Sequence, residues 1–229
     1  MARTPLENIE IVAAALENLC SEVVFVGGAT LELYLDKLLP KPRPSIRPTL
    51  DVDCIIWTSS KRADFYKWEE RVQAIGFRNV PSGPICRFAY QGLVVDFMPT
   101  DGSILGFTNS WYPKGFQNAV SVALPSGGQI RILPLHYFLA TKCEAFSHRG
   151  AKDLYASKDL EDIVFLLAFG KSVREEVRNA PVEIKEALDS VRRKIESKHT
   201  LLEIVEAHID RTAKPETKQQ VIDLLQIAQ

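Results

Sequence analysis

The sequence predicts an α+β fold, a mixed twisted sheet flanked by helices over residues 1–133 followed by a C-terminal helical bundle over 134–229. Two patterns carry this. Up to Pro134, short apolar runs bounded by Gly, Pro and Asn alternate with stretches of helical spacing. Beyond it, every segment has the three-to-four spacing of a helix and none reads as a strand.

The elements follow in order. TPLENIEIVAAALENLC opens a helix, with Thr4 as N-cap and Pro5 at the first helical position. EVVFVGG is a short buried strand ending on Gly27 and Gly28, and ATLELYLDKLL has helical spacing. KPRPSIRPT, with three prolines in nine residues, is an irregular basic loop. DVDCIIWT is a second strand, and SKRADFYKWEERVQAIG an amphipathic helix closed by Gly76. FRNV, ICRFAY and GLVVDFMPT are strands separated by the turn signals PSGP and QG. Gly102 to Lys114 reads as a loop, and NAVSVAL and QIRIL form a hairpin around PSGG. The helical half comprises LHYFLATKCEAFSHRG, SKDLEDIVFLLAFG, VEIKEALDSVRRKIESK, TLLEIVEAHID and PETKQQVIDLLQIA.

Composition removes several function classes. Across 229 residues, 46% hydrophobic and 25% charged, the formal net charge is −1, so no global basic field marks a nucleic-acid binder. The four cysteines form no CxxC pair and read as reduced thiols of a cytosolic protein. The N-terminus lacks the apolar core of a signal peptide, and no run of about 18 apolar residues occurs. A soluble, cytoplasmic protein with no membrane role is expected.

Chemistry concentrates in one stretch, RPTLDVDCIIW. Asp51 and Asp53 share one face of a strand, because successive side chains alternate. Two carboxylates at the mouth of a core repel one another unless cations offset them. Mg²⁺ takes oxygen ligands, and two ions about 3.5–4 Å apart can clamp the attacking and leaving oxygens of a nucleotidyl transfer. Asp96 in LVVDFM arrives from an apolar strand that can lie alongside and complete the set. Gly27 and Gly28 permit close approach of a phosphate to the start of the next helix, and Thr30 either touches that phosphate or caps the helix. The bland reading is a solvated strand end, a strand-end charge at Asp96 and a tight glycine turn.

FVGGATLELYL, RPTLDVD and VVDF together resemble the metal-binding core of the DNA polymerase β nucleotidyltransferase superfamily. Within it the chain resembles the AbiEii/AbiGii-type toxin nucleotidyltransferases, which include the MenT toxins. The segment Arg47-x-Thr49-x-Asp51-x-Asp53 and the later Lys142, Arg149, Asp159 and Asp162 carry that likeness, over roughly residues 23 to 167. The sequence departs from the family by a long proline-rich insertion between Gly28 and Asp51, and by Ala29-Thr30 where a serine is usual.

The resemblance implies a polymerase-β-like core and a transfer of a nucleoside monophosphate from a triphosphate to an acceptor hydroxyl. Asp51, Asp53 and Asp96 would hold Mg²⁺, two ions, with Mn²⁺ as an alternative. Gly27, Gly28, Thr30, Arg47, Lys142 and Arg149 would bind the nucleotide. One of Asp159 and Asp162 would orient Lys142 or Arg149, or act as a base. Without the resemblance, Lys142 is a solvated helix lysine, Arg149 a helix-end cation and the two acids helix-stabilising residues near an N-cap at Ser157. Lys37, Lys41, Arg43 and Arg47, with Lys61 and Arg62, make a local basic patch for a triphosphate or nucleic-acid backbone. The implied partners are a nucleoside triphosphate, tRNA or another RNA acceptor, and an antitoxin protein. The alternatives are an aminoglycoside-type small-molecule nucleotidyltransferase and a non-catalytic nucleotide- or partner-binding relative.

Overall fold

The computed structural model describes residues 3–36, 44–59, 62–210 and 213–227. Lys37, Lys41, Arg43 and Lys61 of the basic patch lie outside them. The chain groups into two compact units, Met1–Leu33 with Arg47–Pro134, and Tyr34–Ile46 with Leu135–Gln229.

The first unit is built on a seven-stranded sheet. Its strands are β1 (Val23–Val26), β2 (Asp51–Ile56), β3 (Arg78–Asn79), β4 (Arg87–Tyr90), β5 (Leu93–Pro99), β6 (Val120–Ala123) and β7 (Gln129–Ile132). They lie in the order β3-β4-β5-β2-β1-β7-β6. β2 pairs parallel to β5 and β1 parallel to β7, while the other pairings are antiparallel, so the sheet is mixed. The β4–β5 hairpin closes through Gln91 and Gly92, both at positive φ (46° and 80°), as a tight two-residue turn requires.

α1 (Pro5–Leu16) starts with a reciprocal cap: the Thr4 hydroxyl accepts from the Glu7 amide, and the Glu7 carboxylate accepts from the Thr4 amide. α2 (Arg62–Ala74) buries Phe65, Trp68 and Val72. Trp68 meets Phe97 of β5 edge-on at 5.3 Å between centroids, and Phe77 and Phe88 meet the same ring at 5.6 and 5.5 Å. Each such pair adds about 0.5–1.5 kcal/mol beyond its buried area. Because Val95 and Phe97 are locked into this layer, Asp96 between them must point to the opposite face. Val52 and Cys54, fully packed, impose the same on Asp51 and Asp53. The aromatic layer thus sets the direction of all three carboxylates.

Two local expectations change. The helix expected over ATLELYLDKLL is a 3₁₀ helix, Gly28–Tyr34, after which Leu35 bridges Gly170 and Tyr34 O accepts from the Lys171 amide at 2.8 Å. Long-range backbone pairing overrides the local spacing there. Within the expected Gly102–Lys114 loop begins a short helix, α3 (Tyr112–Gln117).

The second unit carries α4 (Leu135–Ala145), extended by one wide π-helical turn over Phe146–Gly150, then α5 (Lys158–Phe169), α6 (Val173–Asn179), α7 (Val182–Glu196), α8 (Leu201–His208) and α9 (Pro215–Leu225). α5 packs against α4, α8 and α9, which explains why most of its residues are buried. Ser157 caps it, accepting from the Leu160 amide at 3.3 Å. α7 buries Ile184, Leu188, Val191 and Ile195, one stripe of helical period. Among the described residues no helix is long and apolar enough to cross a membrane.

Candidate metal centre

Register brings the first three carboxylates together. Asp53 of β2 lies opposite Asp96 of β5, and Asp51 sits two residues earlier on the same face. One carboxylate oxygen from each of Asp51, Asp53 and Asp96 lies within 4.8 Å of the others. Oxygens on opposite sides of one Mg²⁺ stand about 4.2 Å apart, twice the ~2.1 Å bond, so the trio is within a small rotation of sharing an ion. An all-oxygen, triply anionic donor set is the chemistry that a hard divalent cation selects.

The glycine turn belongs to the same place. Gly27 has φ +79°, and a Cβ there would collide with Asp53 Oδ2 and come within 3.0 Å of its Cγ. A Cβ on Gly28 would meet Arg47 Nη2 at 2.6 Å. At Gly27 the positive φ and the closeness of the whole Asp53 side chain favour glycine, whereas at Gly28 the Arg47 guanidinium could swing aside for a Cβ. Thr30 is buried, and its hydroxyl donates to Gly27 O at 2.9 Å, beside the Thr30 amide bond to the same oxygen at 3.1 Å. That pair of bonds holds the turn.

Two contacts escaped the sequence reading. Thr49 Oγ1 donates to Asp51 Oδ1 at 2.6 Å and orients it. Arg87 grips Asp96 bidentately, Nε to Oδ1 at 2.9 Å and Nη2 to Oδ2 at 2.7 Å. The hydrogen bonds to Asp96 and its charge push the Arg87 guanidinium still further up, so it stays a cation. The signal for this pair was present: a two-residue turn at Gln91–Gly92 places Arg87 opposite Asp96.

The second group lies in the second unit. Lys142 is buried, and its ammonium sits 2.6 Å from Asp162 Oδ2 and 3.4 Å from Asp159 Oδ1. Arg149, 72% exposed, donates from Nε and Nη2 to the two oxygens of Asp159 at 2.7 and 2.9 Å. Burial pushes the Asp159 carboxyl up, but the Arg149 hydrogen bonds and the Lys142 and Arg149 charges outweigh it and hold it below the usual range. The four residues share one network of ion pairs, and Lys142 is no solvated helix lysine.

No protein-family profile matches the chain, and no curated protein matches it. Its architecture, a mixed seven-stranded sheet with flanking helices and a helical C-terminal region, is that of a nucleotidyltransferase-like fold. A solved example is the crystal structure of an antigenic nucleotidyltransferase-like protein from Paracoccidioides brasiliensis. It matches over 93% of this chain and 97% of its own, with a TM-score of 0.52 and 17% identity. At that identity the likeness speaks for the fold. It lends nothing to the narrower AbiEii/AbiGii assignment.

Proposed function

We propose that this protein is a Mg²⁺-dependent nucleotidyltransferase. The observation that carries the reading is the trio Asp51, Asp53 and Asp96 gathered on paired parallel strands, with a glycine turn pressed against Asp53, in a fold of this type. The carboxylates would hold Mg²⁺ or Mn²⁺, two ions in the working complex, which would neutralise phosphate charge and acidify the acceptor hydroxyl. Gly27 and Gly28 give the triphosphate backbone access, Thr30 keeps the turn in shape, and Arg47 supplies positive charge beside it. A bond forms between the acceptor oxygen and the α-phosphorus, the bond to the β-phosphate bridge breaks, and pyrophosphate leaves.

The family resemblance supports further assignments. Lys142 binds phosphate as a point charge, Arg149 assists it, and Asp159 and Asp162 orient them. The acceptor is an RNA hydroxyl, with tRNA the prime candidate, and the protein works in the cytoplasm as the toxin of an AbiEii/AbiGii-type pair held in check by an antitoxin.

The test incubates the protein with labelled nucleoside triphosphates, Mg²⁺ and either total RNA or aminoglycosides. Label entering RNA, lost in Asp53→Ala with the fold retained, is the expected result. Label entering an aminoglycoside would overturn the RNA acceptor. Nucleotide binding without transfer to either would leave a binding module in place of an enzyme.

A further inference from the structure

β2 ends at Ile56 and the chain runs on into Trp57, whose indole is 49% exposed. It meets the part-buried ring of Phe116, on α3, at 5.7 Å between centroids. The guanidinium of Arg131, on β7, lies over that same phenyl ring at 4.7 Å. Two backbone carbonyls hold it there, Phe116 O at 2.9 Å and Ser21 O at 3.4 Å, and among the described residues no carboxylate pairs with it. Glu22, next to Ser21, is taken bidentately by Arg71. An indole, a phenyl ring and a guanidinium thus stand as successive neighbours, half in water, with a positive charge that no acid balances.

We propose that Trp57, Phe116 and Arg131 form a binding surface for single-stranded RNA, with a base stacking on the indole and the guanidinium attracting the backbone. Its use as an anchor for the acceptor rests on the functional reading above; the binding itself does not. Trp57 lies four residues beyond Asp53, roughly 13 Å of extended chain. A strand that reacts at the acids and rests on the indole therefore spans about four nucleotides at the stacked spacing of ~3.4 Å. A protein partner fits this surface less well. An aromatic side chain buries about 150–250 Å² in full, so two part-covered rings offer far less than the ~800 Å² per partner of a standard interface. Every base has a π-face, and a platform of this size is enough for one or two of them.

Fluorescence anisotropy of a labelled single-stranded RNA of about twelve nucleotides tests this on the wild type, Trp57→Ala, Trp57→Phe and Arg131→Gln. EDTA is present and triphosphate is not, so the metal centre takes no part. The wild type is expected to bind, with quenching of its tryptophan fluorescence. Trp57→Ala should lose the quenching and about tenfold in affinity, while Trp57→Phe keeps most of the binding. Arg131→Gln should lower the slope of log affinity against log salt by about 0.7, one phosphate contact on a single strand. Trp57→Ala is the decisive variant, since it alters a side chain half in water, and circular dichroism checks its fold. Equal RNA affinity in the wild type and Trp57→Ala, or no RNA binding at all, would overturn the surface and leave the metal centre standing. Duplex RNA bound as tightly as single-stranded RNA would overturn base stacking. Self-association of the wild type in sedimentation, absent in Trp57→Ala and without RNA binding, would put a second copy of the chain there and also overturn it. Mn²⁺ binding, read separately by the electron paramagnetic resonance of the free ion, should be the same in all four proteins. Its absence alongside RNA binding would remove the metal reading and leave this surface in place.

Discussion

Alanine at Gly27 separates the cost of a backbone shape from the cost of crowding a functional carboxylate. Gly27 has φ +79°, where an L-residue with a Cβ is strained by about 1–2 kcal/mol. Gly92 has φ +80°, with nothing within 4 Å of its would-be Cβ. Both alanine variants therefore pay the same backbone strain. Only at Gly27 does the new methyl drive into Asp53, with Cγ at 3.0 Å where carbon atoms prefer roughly 3.5–4.0 Å. The carboxylate must withdraw by about 1 Å or more, because its Oδ2 lies closer still, and misplacement on that scale costs up to ~10²-fold in rate. Differential scanning calorimetry should give similar losses for the two variants, about 2–8 °C at this chain length. Mn²⁺ affinity and nucleotidyl transfer should fall by one to two orders of magnitude in Gly27→Ala alone. Equal Mn²⁺ affinity and transfer in the two variants would refute the idea that the glycine exists to make room for Asp53.

Lys142→Met takes an ammonium from beside Asp162, a carboxylate with no exposed surface, and should destabilise the fold by about 3 kcal/mol in urea titrations; a change below ~1 kcal/mol would discard the network. Asp159 has its folded pKa lowered from 3.8, so it contributes stability in full above that value and loses it as pH falls through the lower folded value. Asp159→Asn should therefore flatten the drop in melting temperature below about pH 4; an unaltered slope would contradict the pairing. Burial raises all four thiols, Cys86 to about 11, but Cys20 alone is part-exposed while Cys54, Cys86 and Cys143 are buried. Iodoacetamide on the native protein should label Cys20 first, as mass spectrometry of the peptides would show.

Much of the architecture was legible because the signals were local. Thr4-Pro5 marks the start of α1, Gln91-Gly92 fixes the β4–β5 register, and Ser157 starts α5. The alternation in DVDCII and LVVDFM gave the facing of the acids, since burying Val52, Cys54, Val95 and Phe97 leaves the aspartates on the other side. Short helices such as α3 and α6 span too few residues to show a period. The Leu35–Gly170 bridge depends on a partner 135 residues away, which no local spacing records.

The candidate site was legible at the level of its acids and glycines, whose residue types belong to phosphate and Mg²⁺ chemistry. Its counter-ions were harder to see. Arg87 looks like an ordinary polar position in ICRFAY until the hairpin register is counted across to Asp96. Thr49 looks like part of a proline-rich loop until its hydroxyl is found on Asp51. Lys142 and Arg149, seven apart, suggested one helical face, and both reach Asp159.

One measurement addresses the central claim most directly: parallel assays with the triphosphate labelled at the α- or the γ-phosphate, in Mg²⁺, with RNA as acceptor. Nucleotidyl transfer predicts α-label on the acceptor and γ-label only in pyrophosphate, with both signals absent in Asp53→Ala. γ-Label on the acceptor, or pyrophosphate release undiminished in Asp53→Ala, would contradict it.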